Sequence, residues 1–207
     1  MKTFLKSLTV IAAAAAAAVL NPVSAGDLSK DEVKKLGIFL SNFSECDLVV
    51  TGQSDMENDP AKLVKFAACH DLLNNKKLVT MKKTCAGSSN ATPIYVHIQP
   101  SRVAETAKRY LDIDFTDFTD FTDPALESMT DKSGSFCMVD PRGKNTGFTY
   151  VKVTDTTDLA DGSMAVTGQE VDKDTGASYG TEVHAVVAPH VYNKKNTWYL
   201  LSYKAGN

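Results

Sequence analysis

The 207-residue chain lacks most of the short motifs that mark an enzyme. It has no His-Glu-x-x-His metal helix, no phosphate-binding P-loop and no Gly-x-Gly-x-x-Gly dinucleotide turn, so zinc-protease, nucleotide-hydrolase and dinucleotide-dependent readings have no support. Gly52-Gln53-Ser54-Asp55-Met56 comes nearest to a serine nucleophile elbow, but it is missing the second glycine of that motif. No pair among the four cysteines has Cys-x-x-Cys spacing, which argues against a thioredoxin-like redox centre and against a zinc ribbon. The histidines at 70, 97, 184 and 190 are too scattered to form a ligand set by spacing, and no metal or cofactor is expected. Basic residues do not cluster beyond pairs such as Lys76-Lys77 and Lys82-Lys83. With a net charge of -3 the chain repels phosphates, so nucleic acid is not an expected partner.

What is present begins at the amino terminus. Lys2 and Lys6 precede an apolar run from Leu8 to Leu20, and Val23-Ser24-Ala25 has the small-x-small pattern after which signal peptidase cuts. A membrane-spanning helix needs about 20 apolar residues, and Asn21-Pro22 ends this run short of that. Residues 1–25 therefore read as a secretory signal peptide. The mature chain is expected to begin near Gly26, to have no membrane span, and to be secreted or periplasmic. No cysteine follows the cleavage site to carry a lipid anchor. Residues 26–207 are long enough for a single domain that folds without the help of disulfides or metal. Removing Lys2 and Lys6 leaves them with a net charge of roughly -5.

In an exported chain, Cys46, Cys69, Cys85 and Cys137 allow up to two disulfides in three connectivities. Cys69 with Cys85 is the preferred pair, because both flank one helix-to-loop segment, and Cys46 with Cys137 follows by elimination. Buried free thiols remain the alternative.

Four β-strands in a row dominate the carboxy-terminal part: 148–153, 163–171, 181–188 and 197–203, all rich in β-branched and aromatic residues. Asp161-Gly162, Asp174-Thr175-Gly176 and the 193–196 turn separate them, with residue types that tolerate the positive φ of tight hairpins. An antiparallel meander follows. Both of its faces carry apolar residues, so the amino-terminal part must cover at least one.

That part reads as helices. Ser29 with Glu32 forms a capping box for a helix over 29–43, with Leu28 and Val33 as a hydrophobic staple and Val33, Leu36, Leu40 and Phe43 as its buried stripe. The polar stretch 42–59 reads as a connection, with a short strand at 47–51. Asp59 and Pro60 start a second helix that carries Leu63, Phe66, Ala67, His70, Leu73 and Asn74 on one face and frays near Asn75. Residues 84–92 are a loop and 94–98 a strand. Pro100 opens a third helix with Val103, Ala107, Tyr110 and Leu111 on its apolar side. Asp-Phe-Thr then occurs three times over 114–122. These aspartates lack the glycine and terminal glutamate of a calcium loop, so the repeat reads as an expansion leading into a short helix at Asp123-Pro124. A strand at 135–140 and a turn at Pro141-Arg142-Gly143 deliver the chain into the meander.

Segregated helices and an antiparallel sheet make the fold class α+β, and the element order is similar to the cone-shaped folds of the nuclear-transport-factor-2-like class. The segment from Leu36 to Glu45, the helix bearing Phe66, His70, Asn74 and Asn75, and the closing run from Lys195 to Ser202 resemble a family of small exported bacterial proteins of unknown function, some of them lipid-anchored. The resemblance implies export but no catalytic residues. In this chain Cys69 stands where that family tends to have an aromatic residue before the histidine.

The polar constellation with the best grounding is Ser41, Asn42 and Glu45 at the end of the first helix with His70 and Asn74 on the second. His70 and Asn74 are four residues apart, on the helix's apolar face, where buried polar groups need partners. They either tie the two helices together or line a pocket between helices and sheet. The expected function is a non-enzymatic exported binding protein that takes a small ligand or an envelope protein. The alternative is a hydrolase-type enzyme using His70 with Glu45 or Asp71.

Overall fold

The computed structural model describes residues 28–85, 94–115, 130–142 and 149–206. The segment expected to be a signal peptide, most of the 84–92 loop, the repeat from Thr116 onward and the helix expected after Asp123 lie outside the described residues.

Local chemistry sets the three longer helices where the sequence places them, while a short helix at 53–57 lies in the stretch expected to be a connection. The Ser29 side chain accepts from the Glu32 amide and the Glu32 carboxylate accepts from the Ser29 amide, which closes the capping box of α1, Lys30–Ser44. After a short helix α2, Gln53–Glu57, the Asp59 carboxylate caps α3, Pro60–Asn74, by accepting from Lys62 N at 3.0 Å. Helix α4, Pro100–Leu111, ends at Asp112, whose φ of 53° turns the chain out of the helix. Gln53 Nε2 donates to Leu111 O at 2.9 Å, so α2 holds the end of α4.

The strands form two sheets. β1, Thr80–Lys82, β2, Tyr95–Ile98, and β3, Phe136–Val139, pair in the order β1-β2-β3. β4, Thr149–Asp158, β5, Met164–Asp172, β6, Ser178–Tyr192, and β7, Lys195–Ala205, form the antiparallel meander. The α+β class thus holds, with three local corrections. The strand expected to lead into the meander, β3, pairs with β2 instead, so the meander has four strands and stands apart from the smaller sheet. The stretch 47–51 is not a strand: Val50 alone pairs, exchanging two hydrogen bonds with Tyr203 at 2.9 and 2.7 Å. The last hairpin turns on Asn193 and Lys194, both at positive φ, so β7 starts at Lys195.

Helix α1 lies across β4, and the approach is close because Gly37 carries no side chain. A Cβ there would sit 2.4 Å from Val151 O and 2.6 Å from the Tyr150 hydroxyl. One turn on, the Ser41 hydroxyl donates to Gly37 O at 2.7 Å and accepts from Val151 N at 2.9 Å, satisfying an amide on the outer edge of the sheet. Helix α3 is buried on nearly every side, and one hydrophobic cluster runs from Leu36, Leu40 and Phe43 through Leu63 and Phe66 to Val183, Val187 and Leu200.

The disulfide connectivity corrects the expected one: Cys46 joins Cys69 and Cys85 joins Cys137, with Cα separations of 5.8 and 5.7 Å. Cys69 is in the middle of α3 and faces the end of α1, where Cys46 follows the helix. From Cys69 the chain climbs the rest of α3 and crosses β1 before it reaches Cys85, beside β3. Nearness in sequence is therefore not nearness in space, because a helix moves the chain about 1.5 Å per residue along its axis. No helix among the described residues is long and apolar enough to cross a membrane.

Candidate functional site

A cleft of about 380 Å³ opens where α1, the ends of α3 and α4, and the start of β7 meet. Helical spacing on α1 brings Lys35, Ile38, Phe39 and Asn42 to one wall, since residues three and four apart share a face. Helix α3 contributes His70 and Asn74 with Asn75 just past its end, α4 contributes Arg109 and Tyr110, and β7 contributes Asn196, Thr197 and Trp198. Three aromatic rings line it. Phe39 stacks on Tyr110 with centroids 5.8 Å apart, and Trp198 lies 6.3 Å from Phe39. The Arg109 guanidinium sits over the Tyr110 ring at 4.9 Å.

The floor is a hydrogen-bonded chain. The Tyr110 hydroxyl is 2.8 Å from His70 Nε2, and His70 Nδ1 is 3.2 Å from the Asp71 carboxylate. An ionised carboxylate only accepts, so Nδ1 carries a hydrogen and the hydroxyl meets Nε2. Asp71, fully buried, also accepts from Arg102 Nε at 3.1 Å, Arg102 Nη2 at 3.2 Å and Asn75 Nδ2 at 3.2 Å. Burial pushes the Asp71 carboxyl up, but the hydrogen bonds from His70 and Arg102 and the guanidinium charge together hold it below the usual carboxylate range. Burial raises the Tyr110 hydroxyl, so it remains protonated and available to donate. His70, Asp71, Arg102 and Tyr110 thereby fasten α3 to α4.

Of the five candidates from sequence, Asn42, His70 and Asn74 line this cleft, and Ser41 and Glu45 do not. The Asn42 amide donates to Ile38 O and Phe39 O, both at 3.0 Å, and its oxygen accepts from Asn74 Nδ2 at 3.4 Å. Ser41 faces β4 through its bond to Val151. Glu45 is buried near Lys173, and burial raises its carboxyl. The partners of His70 are thus Asp71 and Tyr110 rather than Ser41, Asn42 or Glu45. Asn74 is exposed at the rim, although its place on the apolar face of α3 suggested an inward direction, because α3 runs past the edge of the core at its last turn.

Lys35 and Arg109 were missed as lining residues. Lys35 shares the helical face of Ile38 and Asn42, which is the signal that finds it; Arg109 has no comparable signal in its own helix. The remaining histidines lie elsewhere. His97 is buried between Asp131 and Thr84 O, both at 2.9 Å, His184 is near Glu182 on the surface, and His190 approaches Asp112. Among the described residues no group of three His, Cys, Asp or Glu side chains is arranged to hold a metal ion.

No family model, curated protein or solved structure matches the chain. The likeness to cone-shaped folds therefore rests on element order alone.

Proposed function

We propose that the protein is an exported, non-enzymatic binding protein whose ligand site is the cleft between α1, α3, α4 and β7. The observation that carries this reading is the cleft's makeup: an aromatic wall of Phe39, Tyr110 and Trp198 beside the carboxamides of Asn42, Asn74, Asn75 and Asn196. Ligand pockets combine apolar walls with a few polar groups that fix orientation. A binding role also agrees with the state of His70, whose two ring nitrogens are engaged by Asp71 and Tyr110, leaving neither directed at a substrate. The hydrolase alternative has a carboxylate partner for His70 in Asp71, at 3.2 Å from Nδ1, but Nε2, the nitrogen that would act on a substrate, is taken by the Tyr110 hydroxyl, and Glu45 lies outside the cleft.

Export is supported by the amino-terminal pattern of residues 1–25 and by two disulfides, which persist in oxidising compartments. Intact mass of protein from its native host is expected to show a chain beginning near Gly26 and recovered outside the cytoplasm. The full chain in the cytoplasm removes the export claim. For the cleft, a thermal-shift screen of small polar metabolites is expected to yield ligands that stabilise the wild type and not Asn74→Trp, which fills the rim. Ligands that stabilise both proteins equally bind elsewhere and overturn the assignment.

A further inference from the structure

The cleft's charge is opposite to that of the whole chain. The protein carries 25 acidic against 22 basic residues, yet the cleft lining has Lys35 and Arg109 and no carboxylate. The acidic groups near it are engaged by other partners. Asp71 beneath His70 is bound by Arg102, Glu105, one turn before Arg109, is paired with Arg102, and Glu32, one turn before Lys35, is folded back on Ser29 in the helix cap while also feeling the Lys35 charge. Arg109 is exposed and steadied over the Tyr110 ring at 4.9 Å, and its guanidinium has five donors with which to meet a carboxylate. Beside these cations Asn42 spends its N–H groups on Ile38 O and Phe39 O, but among the described residues Asn74 and Asn75 each engage only one N–H, and the capacity they keep suits hydroxyl groups, each of which both donates and accepts. Trp198, half-buried and backed by Phe39, supplies a flat apolar face for a ring.

Resting on the reading of this cleft as the ligand site, we infer that its ligand is a small acidic saccharide, a hydroxylated ring bearing a carboxylate. The carboxylate meets Arg109 and Lys35, the hydroxyls meet Asn74, Asn75 and Asn196, and the ring lies on Trp198. Such a ring comes either free or as the end unit of a longer polymer, and both present the same chemistry to the cleft.

The chain has one tryptophan, Trp198, so its fluorescence reports occupancy of this cleft without a label. The test titrates the mature protein with matched pairs: glucuronate against glucose, N-acetylneuraminate against N-acetylglucosamine, and digalacturonate against cellobiose. At least one acid is expected to give a saturable change with a Kd at least tenfold below that of its neutral partner, weakening as salt is raised. Arg109→Gln and Lys35→Gln, both at exposed positions, should each lose most of this preference, leaving the neutral sugars unaffected and the melting temperature close to wild type. Digalacturonate binding tighter than glucuronate favours a polymer end, and equal binding favours the free sugar. If no acid binds better than its neutral partner, the inference is overturned, while the cleft survives as a site if neutral ligands still move Trp198 fluorescence. If the preference persists in both variants, the cations named here are not its source and the inference is again overturned.

Discussion

Gly37 stands in the middle of a helix, where alanine is ordinarily better by about 1 kcal/mol. Here the added Cβ meets the carbonyl of Val151 at 2.4 Å, a backbone atom that cannot move without displacing β4. Gly37→Ala is therefore expected to destabilise by about 1 to 3 kcal/mol, against its helix propensity, and thermal unfolding gives the sign. Asp131 carries a pH dependence. Hydrogen bonds from the Ser133 side chain and from the Ser133 and Ser135 amides, with His97 alongside, hold its carboxyl at about 2. A carboxylate depressed in the folded state stabilises the protein above its unfolded pKa, and that contribution is lost as pH falls through the folded value. The stability gap between wild type and Asp131→Asn should therefore be full above pH about 5 and close as the pH falls towards 2, measured as urea midpoints across that range. Neither residue's role was legible in sequence. A glycine in a helix and an aspartate near a turn are common, and only the partner strand or the loop that folds back tells what they do.

Helix α3 shows where element-level reading works and where it stops. Asp59 and Pro60 fix its start through chemistry local to the chain, and the structure has the cap as the sequence implies. Its environment is another matter, since a helix buried nearly all round has no polar face to orient it. His70 and Asn74, four residues apart, fall into separate networks: His70 with Asp71 and Tyr110, Asn74 with Asn42. His70→Ala leaves the Tyr110 hydroxyl without its partner inside the core and should cost about 1 to 3 kcal/mol. Asn74→Ala, at an exposed site, should stay within about 0.5 kcal/mol of wild type. Without a shared partner the two changes should add, and chemical denaturation of the singles and the double mutant checks this. A double mutant milder than the sum would rejoin the two networks. The meander was more legible than the small sheet because its hairpins are local, whereas β1, three exposed residues, pairs only through the distant β2.

At the scale of the molecule, both disulfides lie between residues 46 and 137, and none reaches the meander. With loops of 23 and 52 residues the chain-entropy model assigns about 3 kcal/mol to Cys46–Cys69 and about 4 kcal/mol to Cys85–Cys137. Replacing each pair by alanine should lower the urea midpoint in that order, and equal losses would mean that native packing outweighs loop length. The meander's edges are attended to without covalent bonds: Ser41 bonds β4, and Val50 pairs with β7. The pairing has a kinetic consequence. Cys69 is closer along the chain to Cys85 than to Cys46, and shorter loops close more readily in an unstructured chain. A thiol oxidised before α3 docks on the end of α1 is therefore captured by the wrong neighbour. Rapid oxidation of the reduced, denatured protein should accumulate the Cys69–Cys85 species, and a thiol buffer or a disulfide isomerase should convert it to the native pair, as peptide mapping over time will show. Yield of the native protein is then governed by a race between the docking of one helix and the arrival of oxidant.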